Sequence, residues 1–278
     1  MNSPRKTARP VHANKGVELQ YKRALDKLVD EMAHSIEYWI EAAYKANPPA
    51  IAQDALPSKG LAKRLNEVGK RWTKRFDDMA ATIAERFIQT GKKATDSAMM
   101  QSFKDAGWTV QFKPTKAIRD AMNASVVENV SLIKSIPQQY LKNVEGSVMR
   151  GFTNGRDLKR ISDELQKHYG VTKRRAAFIA RDQSSKLTAT VTQARRIELG
   201  LFEAEWIHSK GGKHPRASHV KAGQERLRFD VRIGAEIDGE YIQPGYLPNC
   251  HPAESEVEIA HGCMKLYRRR YSGELLTF

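Results

Sequence analysis

The chain has 278 residues, enough for one large domain or two moderate ones, and Lys plus Arg outnumber Asp plus Glu by 47 to 32, a formal +15. That excess points to phosphates or acidic protein surfaces as partners and carries no information about fold. Cys250 and Cys263 are too few for a disulfide framework, no stretch reaches the roughly 20 apolar residues of a membrane span, and the basic N-terminus has no apolar run behind it, so a soluble intracellular protein without membrane contact is expected.

Residues 1–15, rich in Pro, Lys, Arg and Asn, read as a flexible basic arm. Leu19, Leu25, Leu28, Val29, Met32, Ile36, Trp39, Ile40 and Ala43 then recur at helical steps, predicting a helix over about 17–45 that Asn47-Pro48-Pro49 ends. A second stripe, Leu61, Leu65, Val68, Trp72, Phe76, Met79, Ile83 and Phe87, predicts a helix stopping at Gly91, followed by a shorter one over 94–106 closed by Gly107. Residues 108–113 suit a short strand or an extended connector. Ile118, Met122, Val126, Val130 and Ile133 predict a further helix, broken or kinked at Pro137 and resuming over Leu141 to Val148.

The turn Thr153-Asn154-Gly155 sets off a short helix with Leu158, Ile161 and Leu165, closed by Gly170. Thr172 reads as the N-cap of a long helix over about 173–199 with Gly200 at its C-terminal end. Beyond it, Phe202 to His208 reads as a strand, and 225–243 alternates like a hairpin. The expected fold is therefore mainly α with a smaller α+β C-terminal domain: long N-terminal helices, then helices plus a short antiparallel sheet. The expected organisation is an arm over 1–15, a helical region over 16–150, a compact domain over 151–252 and an atypical tail over 253–278.

Chemistry-bearing residues concentrate between 178 and 263. Arg181, Asp182 and Gln183 lie mid-helix, with Lys186 within reach of Asp182 at i+4, which suits a half-buried polar network; a phosphate-binding or catalytic Arg181 is the alternative. Trp206 is expected in the core. Pro215 and Arg216 precede His219 in a Gly/Pro-bounded loop with His214, and Gly223 follows. His219 reads as a hydrogen-bonded structural histidine, with metal binding or acid–base work as the alternative. Cys250, His251, His261 and Cys263 could offer four zinc ligands, but their adjacent and i+2 spacings fit zinc sites poorly, and no metal or other cofactor is expected. There is no GxxxxGK[ST], GxSxG or HExxH motif, so no enzyme class is indicated.

The order and spacing of these landmarks from Thr153 to Pro252 resemble the head-morphogenesis family of tailed phages typified by phage Mu protein F. The resemblance rests on Asp157-Leu158 to Gly170-Val171, Ala180-Arg181-Asp182-Gln183, Arg195, Leu199-Gly200, Trp206, Arg216, His219, Gly223, Pro244-Gly245 and Asn249-Cys250. It implies a minor head component of few copies at the portal vertex. Such a component is assembled in the host cytoplasm, resides in the virion, and acts in capsid assembly or DNA packaging. Its implied partners are the portal protein, the major capsid or scaffolding protein, and double-stranded DNA bound non-specifically. No catalytic residue comes with the family. The alternative function is a basic DNA-binding protein or metal-dependent nuclease of the virion, motivated by +15 and by His214, Arg216, His219, Asn249 and His251. Where the family closes with Asn-Cys-Arg-Cys, this chain has Asn249-Cys250-His251-Pro252. From Cys250 to Phe278 the chain reads either as a degenerate family tail with two strands or, by resemblance, as the opening of a Hint, or intein-type, module, too short to splice alone.

Overall fold

The computed structural model describes residues 8–46, 57–153, 158–208, 215–246 and, as backbone, 263–266. Four long helices come first: α1 (Lys15–Ala46), α2 (Pro57–Asp105), α3 (Lys116–Thr153) and α4 (Leu158–Glu198). A small α+β part follows: β1 (Glu203–Ile207), α5 (Ala217–Gln224), β2 (Arg228–Asp230), β3 (Ala235–Ile237), β4 (Glu240–Ile242) and β5 (Cys263–Leu266). The protein is thus mainly helical with short antiparallel strand pairs at its C-terminal side, as the hydrophobic periodicity indicates.

The helices start and stop for identifiable reasons. Asn14 caps α1, its Oδ1 accepting from the Val17 amide at 3.1 Å. Gly107 (φ 81) ends α2, with Gly107 N–H donating to Lys104 O and Trp108 N–H to Phe103 O. Gly200 (φ 68) ends α4 through the same pair of bonds, to Ile197 O from its own N–H and to Arg196 O from that of Leu201. Both are Schellman closures, in which a left-handed residue lets two terminal carbonyls be satisfied; glycine takes that conformation without a Cβ clash.

The helices run on through three places where the sequence suggests a stop or, at Pro137, a break or a kink. α2 runs through Gly91, where a Cβ would lie 2.4 Å from Leu187 Cδ2; this glycine permits a close approach of two helices instead of a stop. α3 runs through Pro137. α4 runs through Gly170 and Thr172, and Thr172 Oγ1 donates back to His168 O at 2.8 Å as a helix-interior residue does, not as a cap. A single glycine costs a helix about 1 kcal/mol, which burial on both sides offsets.

The chain forms two compact units. One comprises Leu19–Arg86 and Val126–Arg181. It is built from helical segments whose core includes Leu25, Val29, Met32 and Ile36 of α1, Phe76 and Ala80 of α2, Ile133 and Val144 of α3, and Ile161 and Ile179 of α4. Polar ties cross it: Tyr21 donates to Asn129 Oδ1 at 2.9 Å, and Lys173 Nζ lies 2.7 Å from Asp30 and 3.4 Å from Asp26.

The other unit comprises Met1–Glu18, Phe87–Ser125 and Asp182–Phe278. Within it, the described part of the N-terminal arm is packed: Ala8 and Ala13 are buried, and Ser102 Oγ donates to Arg9 O at 2.7 Å. Trp108, Val110 and Phe112 lie along an extended connector, not a strand, and cover Met99 and Phe103.

Its three-stranded sheet has the order β2-β1-β5, both pairings antiparallel, with Ala204 opposite Phe229 and Leu266. β3 and β4 form a separate hairpin around Asp238 (φ 57) and Gly239 (φ 78), an Asp-Gly turn with both central residues left-handed. The hairpin expected over 225–243 is therefore tighter, because β2 pairs with β1 instead. Ala204, Trp206, Ala222, Phe229, Val231, Ala235, Ile237 and Ile242 form the core of this C-terminal part.

Candidate functional site

The C-terminal half of α4 buries an unusual run of polar side chains, of which Ser184, Ser185, Thr188, Thr192, Arg195 and Arg196 share one face. Asp182, Gln183, Ser184, Ser185, Thr188, Thr192, Arg195 and Arg196 are all buried and all polar or charged. Burying such groups is costly unless each finds a partner, so this run fixes how neighbouring chain segments must sit.

At its N-terminal end, Asp182 is 7% exposed and pairs with Lys186 Nζ at 3.1 Å, the i+4 contact read from the sequence. Gln183 Nε2 donates to Asp182 Oδ2 at 3.3 Å. Arg181, half-buried, precedes them.

Further along, Gln193 Nε2 and Gln243 Nε2 both donate to Val231 O, at 2.9 and 2.8 Å. One carbonyl of the small sheet region is thereby tied to α4 and to the segment after β4. Pro244 and Gly245 line a shallow cleft with Ser185, Thr188, Thr192 and Arg196. Gly245 (φ 88) comes so near α4 that a Cβ would lie 3.4 Å from Ala189 Cβ. Burial lowers the Arg196 pKa to about 10.

The strongest electrostatic contact lies at the end of α4. Arg195, 2% exposed, donates from Nε and Nη2 to both Asp96 oxygens at 2.8 and 2.9 Å, and from Nη1 to Glu198 Oε2 at 2.7 Å and Lys113 O at 2.6 Å. Its guanidinium also covers the Phe112 ring, 4.6 Å from the centroid. This planar fork satisfies a carboxylate bidentately and fixes the 108–113 connector against α2 and α4. Burial would raise the Asp96 carboxyl, but hydrogen bonds and charge from Arg195 and Lys92 hold it below the ordinary range.

The landmarks after α4 form a second centre. Trp206 on β1 is 6% exposed, with the His219 ring edge-on at 5.2 Å and Phe229 at 6.2 Å. His219 is buried on α5, whereas Arg216 is the exposed N-cap residue of that helix, close enough for its charge to act on the imidazole. Gly223, also on α5, abuts β1's end: a Cβ there would lie 2.7 Å from the His208 backbone nitrogen. Trp206, His219 and Gly223 thus form the packing joint between α5 and the sheet.

His214, Asn249, Cys250, His251 and His261 lie outside the described residues, as does the Hint-like stretch apart from the β5 backbone; Cys263 begins β5, opposite Ile207. Among the described residues, no group of three or more His, Cys, Asp or Glu side chains could hold a metal ion.

Burial, reinforced by the nearby Arg216 charge, lowers the His219 pKa. A histidine held neutral in the fold binds its proton more readily when unfolded. Its contribution to stability is therefore complete above about pH 6.5 and is lost as pH falls below that value. Urea midpoints measured from pH 7.5 to 5.5 are expected to fall for the native chain and to fall less steeply for His219→Gln. His12, also lowered by burial, contributes the same slope to both proteins and cancels in the comparison.

The family described as Phage Mu protein F like protein matches residues 142–253. An uncharacterised protein of Haemophilus influenzae is 31% identical over 247 residues, which is 87% of this chain and 53% of the relative. The chain therefore spans about half the length of the curated relative it matches. No solved structure matches the chain significantly. The matched segment begins in α3, covers all of α4 and runs past β4, so it contains both the polar face and the Trp206 joint.

Proposed function

Since residues 142–253 place this chain in the Mu protein F-like family of phage head-morphogenesis proteins, we propose that it acts at the portal vertex of a phage head as a minor component of the particle. Its proposed neighbours are the portal protein, the major capsid or scaffolding protein, and packaged DNA held without sequence preference. The role is structural, not enzymatic. The observation that carries this reading is that the matched segment contains the buried polar run of α4, whose Gln193 ties to Val231 within the segment and whose Arg195 anchors it to Asp96 outside. Such a frame fixes a shape, and shape is what an assembly component presents to its partners.

The nuclease reading is weaker on geometry. His219 is 7% exposed and packed on Trp206, out of reach of a substrate phosphate. A portal pull-down tests the proposal: the purified chain is expected to co-sediment with assembled portal rings of the same phage. Divalent-metal-dependent cleavage of DNA, abolished in His219→Ala, would instead support the enzyme.

A further inference from the structure

One exposed surface lies outside the frame just described. Between residues 63 and 75, α2 carries six cations and one acid, Glu67. Lys63, Arg64, Lys70, Arg71, Lys74 and Arg75 are all exposed. Their spacing sorts them into two columns: Lys63, Lys70 and Lys74 at i, i+7 and i+11, and Arg64, Arg71 and Arg75 at the same steps one residue on. At about 100° per residue, the lysines stand opposite the buried Leu65, Val68 and Phe76, and the arginines on the adjacent shoulder.

Two of the three arginines are held in place. Arg64 and Arg71 both cover the Trp39 ring of α1, with Cζ 4.9 and 5.6 Å from its centroid. Stacking fixes two long side chains that would otherwise lose rotamer freedom on binding, and it leaves their planar N–H forks for an anion. The internal ion pairs are weak competitors: Arg64–Glu67 at 3.4 Å and Lys74–Asp78 at 3.3 Å join groups that are roughly half exposed or more.

We infer that this two-column face of α2, braced by Trp39, is a non-specific binding surface for the phosphate backbone of duplex DNA, an inference that rests on the proposed place of the chain beside packaged DNA. The charge density fits. Residues 63–75 rise about 18 Å along the helix axis. Duplex DNA carries about one phosphate per 1.7 Å, so about ten in that length, of which roughly half face one side. Six cations are enough to meet the roughly five phosphates on that side. Three of the six cations are lysines, which meet phosphate as point charges, so the contact is assigned to the backbone and not to the sequence.

The test is binding of the full chain to a 30-base-pair duplex by fluorescence anisotropy across NaCl concentration. The variant Lys63→Gln, Lys70→Gln, Lys74→Gln, Arg75→Gln removes four charges while leaving the Trp39 stack intact. Its log–log salt slope is expected to be shallower than the native one by about 3.6, at roughly 0.9 per lost phosphate contact. Lys27→Gln, Lys116→Gln, Lys221→Gln and Lys45→Gln, four exposed changes elsewhere, should move the slope far less. Glu67→Gln should tighten binding severalfold, a gain that damage to the fold would not produce. An unchanged slope in the first variant, an equal loss in the second, or equal competition by polyglutamate would overturn the inference, the last by assigning the face to acidic protein. Each of those results leaves the head-morphogenesis reading standing, because portal co-sedimentation and presence in particles are separate measurements.

Discussion

Asp96→Ala is expected to destabilise the unit containing α4's C-terminal half by about 3–5 kcal/mol, because it strands a buried guanidinium. Arg195 is 2% exposed, and its two bonds to Asp96 are the geometry that offsets the loss of water. Glu198 would remain at 2.7 Å but cannot take over both donors. The double change Asp96→Leu with Arg195→Met should recover part of the loss, since it removes the stranded charge, while Glu198 and the Lys113 carbonyl lose the donor they shared. Urea denaturation followed by circular dichroism measures both. If Asp96→Ala and the double variant were equally destabilised, packing and not charge pairing would be what the site contributes. The pH dependence has a definite sign. The Asp96 carboxyl is lowered in the fold, so its stabilisation is present above the ordinary carboxylate range near pH 4 and is lost as pH falls through the folded value. Asp96→Asn should flatten the acid limb of the stability profile.

Trp206→Ala is expected to cost about 3–5 kcal/mol, the usual consequence of emptying a large aromatic site. The ring joins β1 to α5 through His219 and to β2 through Phe229, so its loss loosens three elements together. Trp206→Phe should cost far less, because Trp206 Nε1 is buried with no hydrogen-bond partner among the described residues. Hydrogen exchange of the β1 and β2 amides would separate the two variants: fast exchange is expected in the alanine variant and near-native protection in the phenylalanine variant. Equal loss of protection in both would mean that the indole edge itself is needed.

Local signals placed most of the helices and the strand at Trp206, since apolar periodicity and the terminating glycines Gly107 and Gly200 act within a few residues. The misread glycines show the limit. Gly91 and Gly170 carry the same letter as Gly107, but only the fold reveals that Gly91 meets Leu187. Thr172 likewise bonds backward into its own helix, a choice set by helix continuity and not by residue type. The site divides in the same way. Asp182 with Lys186 was legible as an i+4 pair and Trp206 as a core residue, whereas His219, read as a hydrogen-bonded histidine, is packed edge-on against Trp206. The Arg195 frame was half legible: Glu198 lies at i+3, whereas Asp96 is 99 positions away and Lys113 enters through its backbone carbonyl. No spacing rule reaches such contacts. The position of Trp39 under two of the arginines is what distinguishes the basic residues at 63–75 from ordinary surface charge.

Quantitative mass spectrometry of purified proheads and virions from a phage carrying this gene tests the central claim most directly. The expected result is peptides from across residues 142–253 in the particles, at a copy number far below that of the major capsid protein. Absence of the chain from both proheads and virions would contradict a role in building the head.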